Sequence, residues 1–244
     1  MNVTNFSAKE PSLGYYYQLR LGLYLILSTQ KSNAIIRIES LDDIVIDDLD
    51  AIDLFQTKLH INSVSNLTDS SPDFWKTIRV WSENITNGLI DEKSTLFTLM
   101  TTAKIGEGSF IQDLKSINRI RDTGSLRKAM LEIADQSTNK TNLLGYSSFK
   151  KLSKDQQFDL INNIIIIDQT LSIDEALQAV QHQLRYSTHP KKLESLIERL
   201  EGWWFQKCIL MLQGNFDNIT QEEVKIKIAD INAVNRQQKV DTLF

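Results

Sequence analysis

The spacing of apolar positions changes period along this chain, and each change marks an element. Residues 14–28 (GYYYQLRLGLYLILS) are apolar on nearly every side, as a buried helix would be. Gly22 within that stretch points to close packing against a neighbour. From residue 33 the pattern alternates. Ile36 and Ile38 fall on one face, with Ile35, Arg37 and Glu39 on the other. Ile44, Val45 and Ile46 follow the acidic pair Asp42 and Asp43, and a third run covers residues 52–61. Three short strands are predicted, with a turn over residues 47–51 by composition. Ser71, Pro72 and Asp73 then open a helix carrying Phe74, Trp75, Ile78 and Trp81 at helical spacing, and residues 94–102 (STLFTLMTT) read as another strand. The order is helix, three strands, helix, strand.

Beyond Gly106 the texture becomes helical. Amphipathic helices are predicted over residues 110–121 and 125–136, and another begins at Ser153. A capped helix starts at Ser172, a strong one covers residues 191–212, and a polar one opens at Thr220. Ile164 to Ile167 are four consecutive isoleucines, read as a buried strand. This divides the chain at residue 108, with 1–108 as the site-bearing domain and 109–244 as a mostly helical region for subunit docking or oligomerisation.

The candidate chemistry lies in the strands. Gln56 and Lys58 are two residues apart and share a face inside an apolar strand. A turn centred near Leu49 and Asp50 sets Asp43 opposite Gln56, with Cβ atoms roughly 4.5–5.5 Å apart. A carboxylate, an amide oxygen and an ammonium would then converge at the end of a sheet. Oxygen ligands of this kind suit a hard divalent ion, above all Mg²⁺, with Mn²⁺ able to substitute. Asp43 and Gln56 are the expected metal ligands. Glu39 is a further expected ligand, or holds a ligating water together with Asp42. Asp43, Gln56, Lys58 and Glu39 form the candidate catalytic set of a metal-dependent phosphodiesterase. In it the ion would polarise the phosphate and lower the pKa of a bound water, and Lys58 would position the nucleophile and offset developing charge.

An acidic residue followed a dozen residues later by Gln-x-Lys resembles the PD-(D/E)xK signature of the restriction-endonuclease fold. More narrowly, GYYYQLRLGLYLIL, IESLDDI, DLFQTKLH and SPDFWKTIRVW occur in the order found in the double-strand DNA endonuclease domain of bacterial anti-phage effectors. That domain is found fused to a cyclic-nucleotide sensor, and also in the nuclease subunit of Lamassu-type systems. The resemblance covers roughly residues 12–110. It implies an α/β fold with a restriction-endonuclease-like α-β-β-β-α-β core and a place for Gln18 near the active site; buried amide packing is the alternative for Gln18. It also implies Mg²⁺-dependent cleavage of double-stranded DNA, held inactive until infection. The expected partners are double-stranded DNA, an SMC-like ATPase and an accessory subunit, with homo-oligomerisation on activation. The competing expectation is a catalytically inactive nuclease fold used as a scaffold or DNA-binding adaptor.

Composition narrows the remaining classes. Net charge is −4 over 244 residues, and residues 1–70 carry five basic and nine acidic side chains. That balance does not suit a protein whose main role is to coat DNA electrostatically. One cysteine, Cys208, leaves no internal disulfide framework, and three scattered histidines with it make no zinc site. No apolar run approaches the ~18–20 residues of a transmembrane helix, and no signal-type leader is seen. A cytoplasmic protein with no membrane partner is expected.

Overall fold

The computed structural model describes residues 8–48, 51–60, 65–115 and 120–241, with side chains as far as 234. In chain order the elements are α1 (Lys9–Ser28), β1 (Ile35–Ile38), β2 (Ile44–Asp47), β3 (Ile52–Lys58), β4 (Asn66–Leu67), α2 (Pro72–Thr86), β5 (Thr95–Thr101) and β6 (Lys104–Ile105). There follow α3 (Thr123–Gln136), α4 (Leu143–Lys151), α5 (Lys154–Asn163), β7 (Ile164–Ile167), α6 (Ile173–Leu184), α7 (Leu193–Leu212), β8 (Ile219–Thr220) and α8 (Gln221–Asp241). The fold is α/β with a mixed sheet and a helical C-terminal region. The expected turn at Leu49 and Asp50, most of the N-terminal arm and the end at Phe244 lie outside the described residues.

Two compact units share the chain: residues 1–40, 46–49 and 171–244 form one, and residues 41–45 and 50–170 the other. They are interleaved in sequence, and the domain boundary expected at residue 108 remains an expectation.

The second unit contains the parallel strands. β5 lies between β3 and β7, with Ile52 to Lys58 registered against Thr95 to Thr101 and Phe97 to Met100 against Ile164 to Ile167. Strands covered on both faces read as nearly continuous apolar runs. β5 is such a strand, burying Phe97, Leu99 and Met100 together with Thr95, Thr98 and Thr101, whereas edge strand β7 buries Ile164 and Ile166 and leaves Ile165 half-buried and Ile167 exposed. Helix α2 starts at Ser71, whose extended backbone leads into Pro72, and its apolar stripe of Phe74, Trp75, Ile78, Trp81 and Ile85 is buried. These pack with Leu54, Phe97, Tyr146 and Phe149 in one core cluster. The Trp75 ring meets Tyr146 edge-on at 4.6 Å, and its Nε1–H donates to the Asp69 carbonyl at 2.7 Å. Both tryptophans are therefore core residues. Of the helix expected over 110–121, Phe110–Leu114 form a single 3₁₀ turn and Lys115 bridges Ile166 of β7, while residues 116–119 lie outside the described residues.

The first unit is built on α1. Its Gly22 faces Ile36, Ile38 and Trp204, and a Cβ there would sit 3.1 Å from the Ile38 Cδ1. That explains why the apolar helix carries a glycine at its centre. The Trp204 Nε1–H donates to the Leu19 carbonyl at 2.7 Å, and Arg20 pairs with Glu201 at 2.7 Å. β8 pairs antiparallel with β1, Ile35 against Thr220. That strand lies where only a helix start was expected.

Candidate functional site

β3 positions the candidate side chains. Alternation along the strand places Leu54, Gln56 and Lys58 on one face and Phe55 and Thr57 on the other. Leu54 belongs to the α2 core, so Gln56 and Lys58 continue that face toward the C-terminal end of a parallel strand. Gln56 is buried and Lys58 half-buried.

Asp43 does reach β3, one residue away from where pairing arithmetic put it. Its Oδ2 accepts from the Thr57 backbone N–H and from the Thr57 hydroxyl, both at 2.8 Å. Thr57 separates Gln56 from Lys58, so the carboxylate sits against the backbone between them. One oxygen thereby serves as the acceptor for an amide on the β2 side of the strand. Sequence reasoning passed over Thr57, although a threonine between Gln and Lys, with both its donors turned to the neighbouring strand, was there to read.

Asp42 is the more unusual acid. It is 7% exposed, and its Oδ2 accepts from the Trp81 Nε1–H at 2.5 Å. Burial pushes its carboxyl up to about 7, and the adjacent Asp43 charge adds to the rise. The Trp81 and Asp43 N–H donors and the Lys58 ammonium oppose it. The Asn84 amide donates to the Leu41 carbonyl at 2.7 Å, so α2 fixes residues 41–43 at two points. Asp42 is thus tied to the core through α2.

The remaining expected residues fall elsewhere. Glu39 is exposed, with a left-handed backbone (φ 52°), and belongs to the first unit, as does the buried Gln18. Among the described residues no three of His, Cys, Asp and Glu converge to hold a metal ion. Within the second unit the expected Mg²⁺ ligand set reduces to one carboxylate, Asp43, and one amide, Gln56. Mg²⁺ is commonly held by one or two carboxylates together with phosphate oxygens. Such a pair would need phosphate oxygens to complete a Mg²⁺ shell.

No family model matches the chain, and no curated protein matches it. Solved structures do. One is the Acinetobacter baumannii Cap4 SAVED/CARF-domain containing receptor with the cyclic trinucleotide 3′3′3′-cAAA (TM-score 0.51, 16% identity, 94% of this chain and 46% of that chain). Another is the same receptor with 2′3′3′-cAAA (0.51, 17%, 93% and 46%). A third is the Moraxella osloensis Cap4 SAVED/CARF-domain containing receptor (0.51, 16%, 93% and 49%). At this identity the likeness is one of fold, and the chain spans just under half the length of those receptors.

These neighbours correct what the resemblance implied. They are named as SAVED/CARF-domain containing receptors, two of them with a cyclic trinucleotide, and not as PD-(D/E)xK nucleases. The family assignment, the Lamassu-type DNA endonuclease function, and the duplex DNA and SMC-like ATPase partners are withdrawn on that finding. No described helix is long and apolar enough to cross a membrane.

Proposed function

We propose that this chain is one part of a cytoplasmic receptor that responds to a cyclic oligonucleotide, and that it engages a phosphodiester at the C-terminal end of β3, through Gln56 and Lys58. The observation that carries the reading is the fold shared, over 94% of the chain, with a receptor holding 3′3′3′-cAAA. The site supplies suitable chemistry. An ammonium beside a buried amide offers donors to phosphate oxygens, and charge-assisted hydrogen bonds are the stronger kind. Calorimetric titration of the chain with 3′3′3′-cAAA and 2′3′3′-cAAA, in wild type and Lys58→Ala, tests it. Saturable binding weakened in the variant supports the reading, and binding unaffected by the substitution removes the site from it.

A second reading is favoured by the placement of Asp43 against the backbone between Gln56 and Lys58. In it the order α1, β1 to β3, α2, β5 is a restriction-endonuclease-like core, and the site hydrolyses a phosphodiester with Mg²⁺. Asp43 and Gln56 would hold the ion, which supplies Lewis-acid polarisation of the phosphate. Lys58 would orient the phosphate and neutralise its charge. Incubation with Mg²⁺ and the cyclic trinucleotide distinguishes the readings. Binding without turnover leaves the receptor reading alone, whereas turnover lost in Lys58→Ala and in chelator adds the hydrolase.

A further inference from the structure

His60 was set aside in the sequence as one of three scattered histidines, and the structure places it beside Lys58. The Thr102 N–H donates to the Lys58 carbonyl at 3.1 Å, extending the parallel ladder past the end of β3. Two residues on, the His60 N–H donates to the Thr102 hydroxyl at 2.8 Å, and that hydroxyl also faces the His60 carbonyl at 3.4 Å. In a parallel ladder a residue turns both its N–H and its C=O toward the same neighbour, and alternate residues repeat that orientation. Lys58 and His60 both turn toward β5, so the chain stays extended between them. Side chains at this spacing share a face. Gln56, Lys58 and His60 therefore form a row along one face.

The imidazole is held from α2. The Asp73 carboxylate lies 3.0 Å from His60 Nε2, beside rather than in line with its N–H. Asp73 stands in the first turn of the helix, where the dipole favours a negative charge. Nε2 itself is shielded from solvent, while the side chain as a whole keeps 29% exposure, so the rest of the ring faces outward. With Nε2 against a carboxylate, the other ring nitrogen donates to a phosphate oxygen when the imidazole carries both protons, since in the neutral ring it is an acceptor. A buried nitrogen without a well-aligned partner, at the end of a row of phosphate-type donors, requires an explanation in a packed structure.

We infer that His60, oriented by Asp73, is a third phosphate-contacting side chain of the site that Gln56 and Lys58 line, its ligand being a nucleotide phosphodiester. This rests on the reading of that site given above. Three groups at alternate positions, roughly 6.6 Å apart along extended chain, would contact a nucleotide at successive points along that face. Asp73 acts through His60 and is a positioning residue.

The test uses the wild-type chain with ¹⁵N-labelled histidine, and two probes, inorganic phosphate and the linear dinucleotide ApA. The ring nitrogens of His60 are expected to shift saturably with ApA, while those of His182 and His189 stay in place. His60→Ala is expected to weaken ApA binding roughly tenfold, as loss of one hydrogen bond to a charged group would. His60→Gln, which keeps a donor, should restore part of it. Asp73→Asn should move the His60 resonances in the free protein as well as weaken binding, a spectroscopic change that loss of fold stability alone does not give. If ApA binds and Lys58→Ala weakens it while the His60 signals stay still, the inference is wrong and the site reading stands. If neither probe binds the wild type, both fall. The resonance readout is taken on wild-type protein, so an unfolded His60→Ala does not spoil it.

Discussion

Asp42→Asn gives a stability difference that depends on pH in a way no surface charge would. The Asp42 carboxyl has an ordinary value of 3.8 and is pushed up to about 7 in the folded chain, burial being the main cause. The folded state therefore binds a proton more tightly than the unfolded state between those limits. Stability contributed by this group is present at acid pH and falls as pH rises toward the folded value. At about 1.4 kcal/mol per pH unit, the loss across that window is on the order of 4 kcal/mol, taken as an upper figure for a buried acid. Asparagine keeps an oxygen for the Trp81 N–H and carries no charge. Urea unfolding of wild type and Asp42→Asn at ~pH 4.5, 6 and 8 is the assay. The variant should be close to wild type at the lowest pH and increasingly more stable above it. Asp168 and Asp122, held below the usual carboxylate range by their hydrogen bonds, act in the opposite sense in both proteins. The difference between the two proteins removes them. A difference that is flat across the range, or that grows toward acid, would refute the buried-acid account of residues 41–43.

Three further outcomes follow from the geometry. Gly145→Ala would bring a Cβ into the Trp75 carbonyl oxygen and to 3.0 Å from its carbonyl carbon. The expected cost is about 1–3 kcal/mol, read as a lower thermal midpoint, whereas Gly202→Ala meets nothing within 4 Å and should leave the midpoint unchanged or raise it. Asp168 is pushed up by burial but held down by Lys115 at 2.8 Å and the Ile105 N–H at 3.0 Å, the latter bonds prevailing. Its stabilising contribution is present above the ordinary carboxylate value and is lost as pH falls through the lowered one. Asp168→Asn should therefore flatten part of the acid-side loss in the same urea series. Lys58→Ala removes a charge-assisted contact of about 1.5–3 kcal/mol, so binding of a phosphodiester probe should weaken roughly 10- to 100-fold.

Period and capping carried most of the fold. Ser71-Pro72, Ser153 and Ser172 start helices as written, the last two with complete capping boxes. The alternation of residues 35–58 became β1 to β3, although the third strand stops at Lys58. What pattern could not supply was partnership over long separations. Ile219 and Thr220 form a strand because β1 offers them an edge, and two residues carry no period of their own. Lys115 leaves its helical turn for β7 for the same kind of reason. At the site, pairing arithmetic brought Asp43 to the right strand and missed its partner by one residue. The buried Asp42 and the His60–Asp73 pair were invisible because each depends on α2 packing back across β3, a tertiary event. The family resemblance went further than the residues warranted, and the fold comparison overturned it, its matches being SAVED/CARF-domain containing receptors.

The most direct test of the central claim is calorimetric titration of the wild-type chain and Lys58→Ala with 3′3′3′-cAAA in the presence of Mg²⁺, followed by analysis of the nucleotide recovered. Saturable heat in the wild type, reduced at least roughly tenfold in affinity by the substitution, is the predicted result. Neither binding nor turnover by the wild type, or equal affinity in both proteins, would contradict a phosphodiester site at the end of β3.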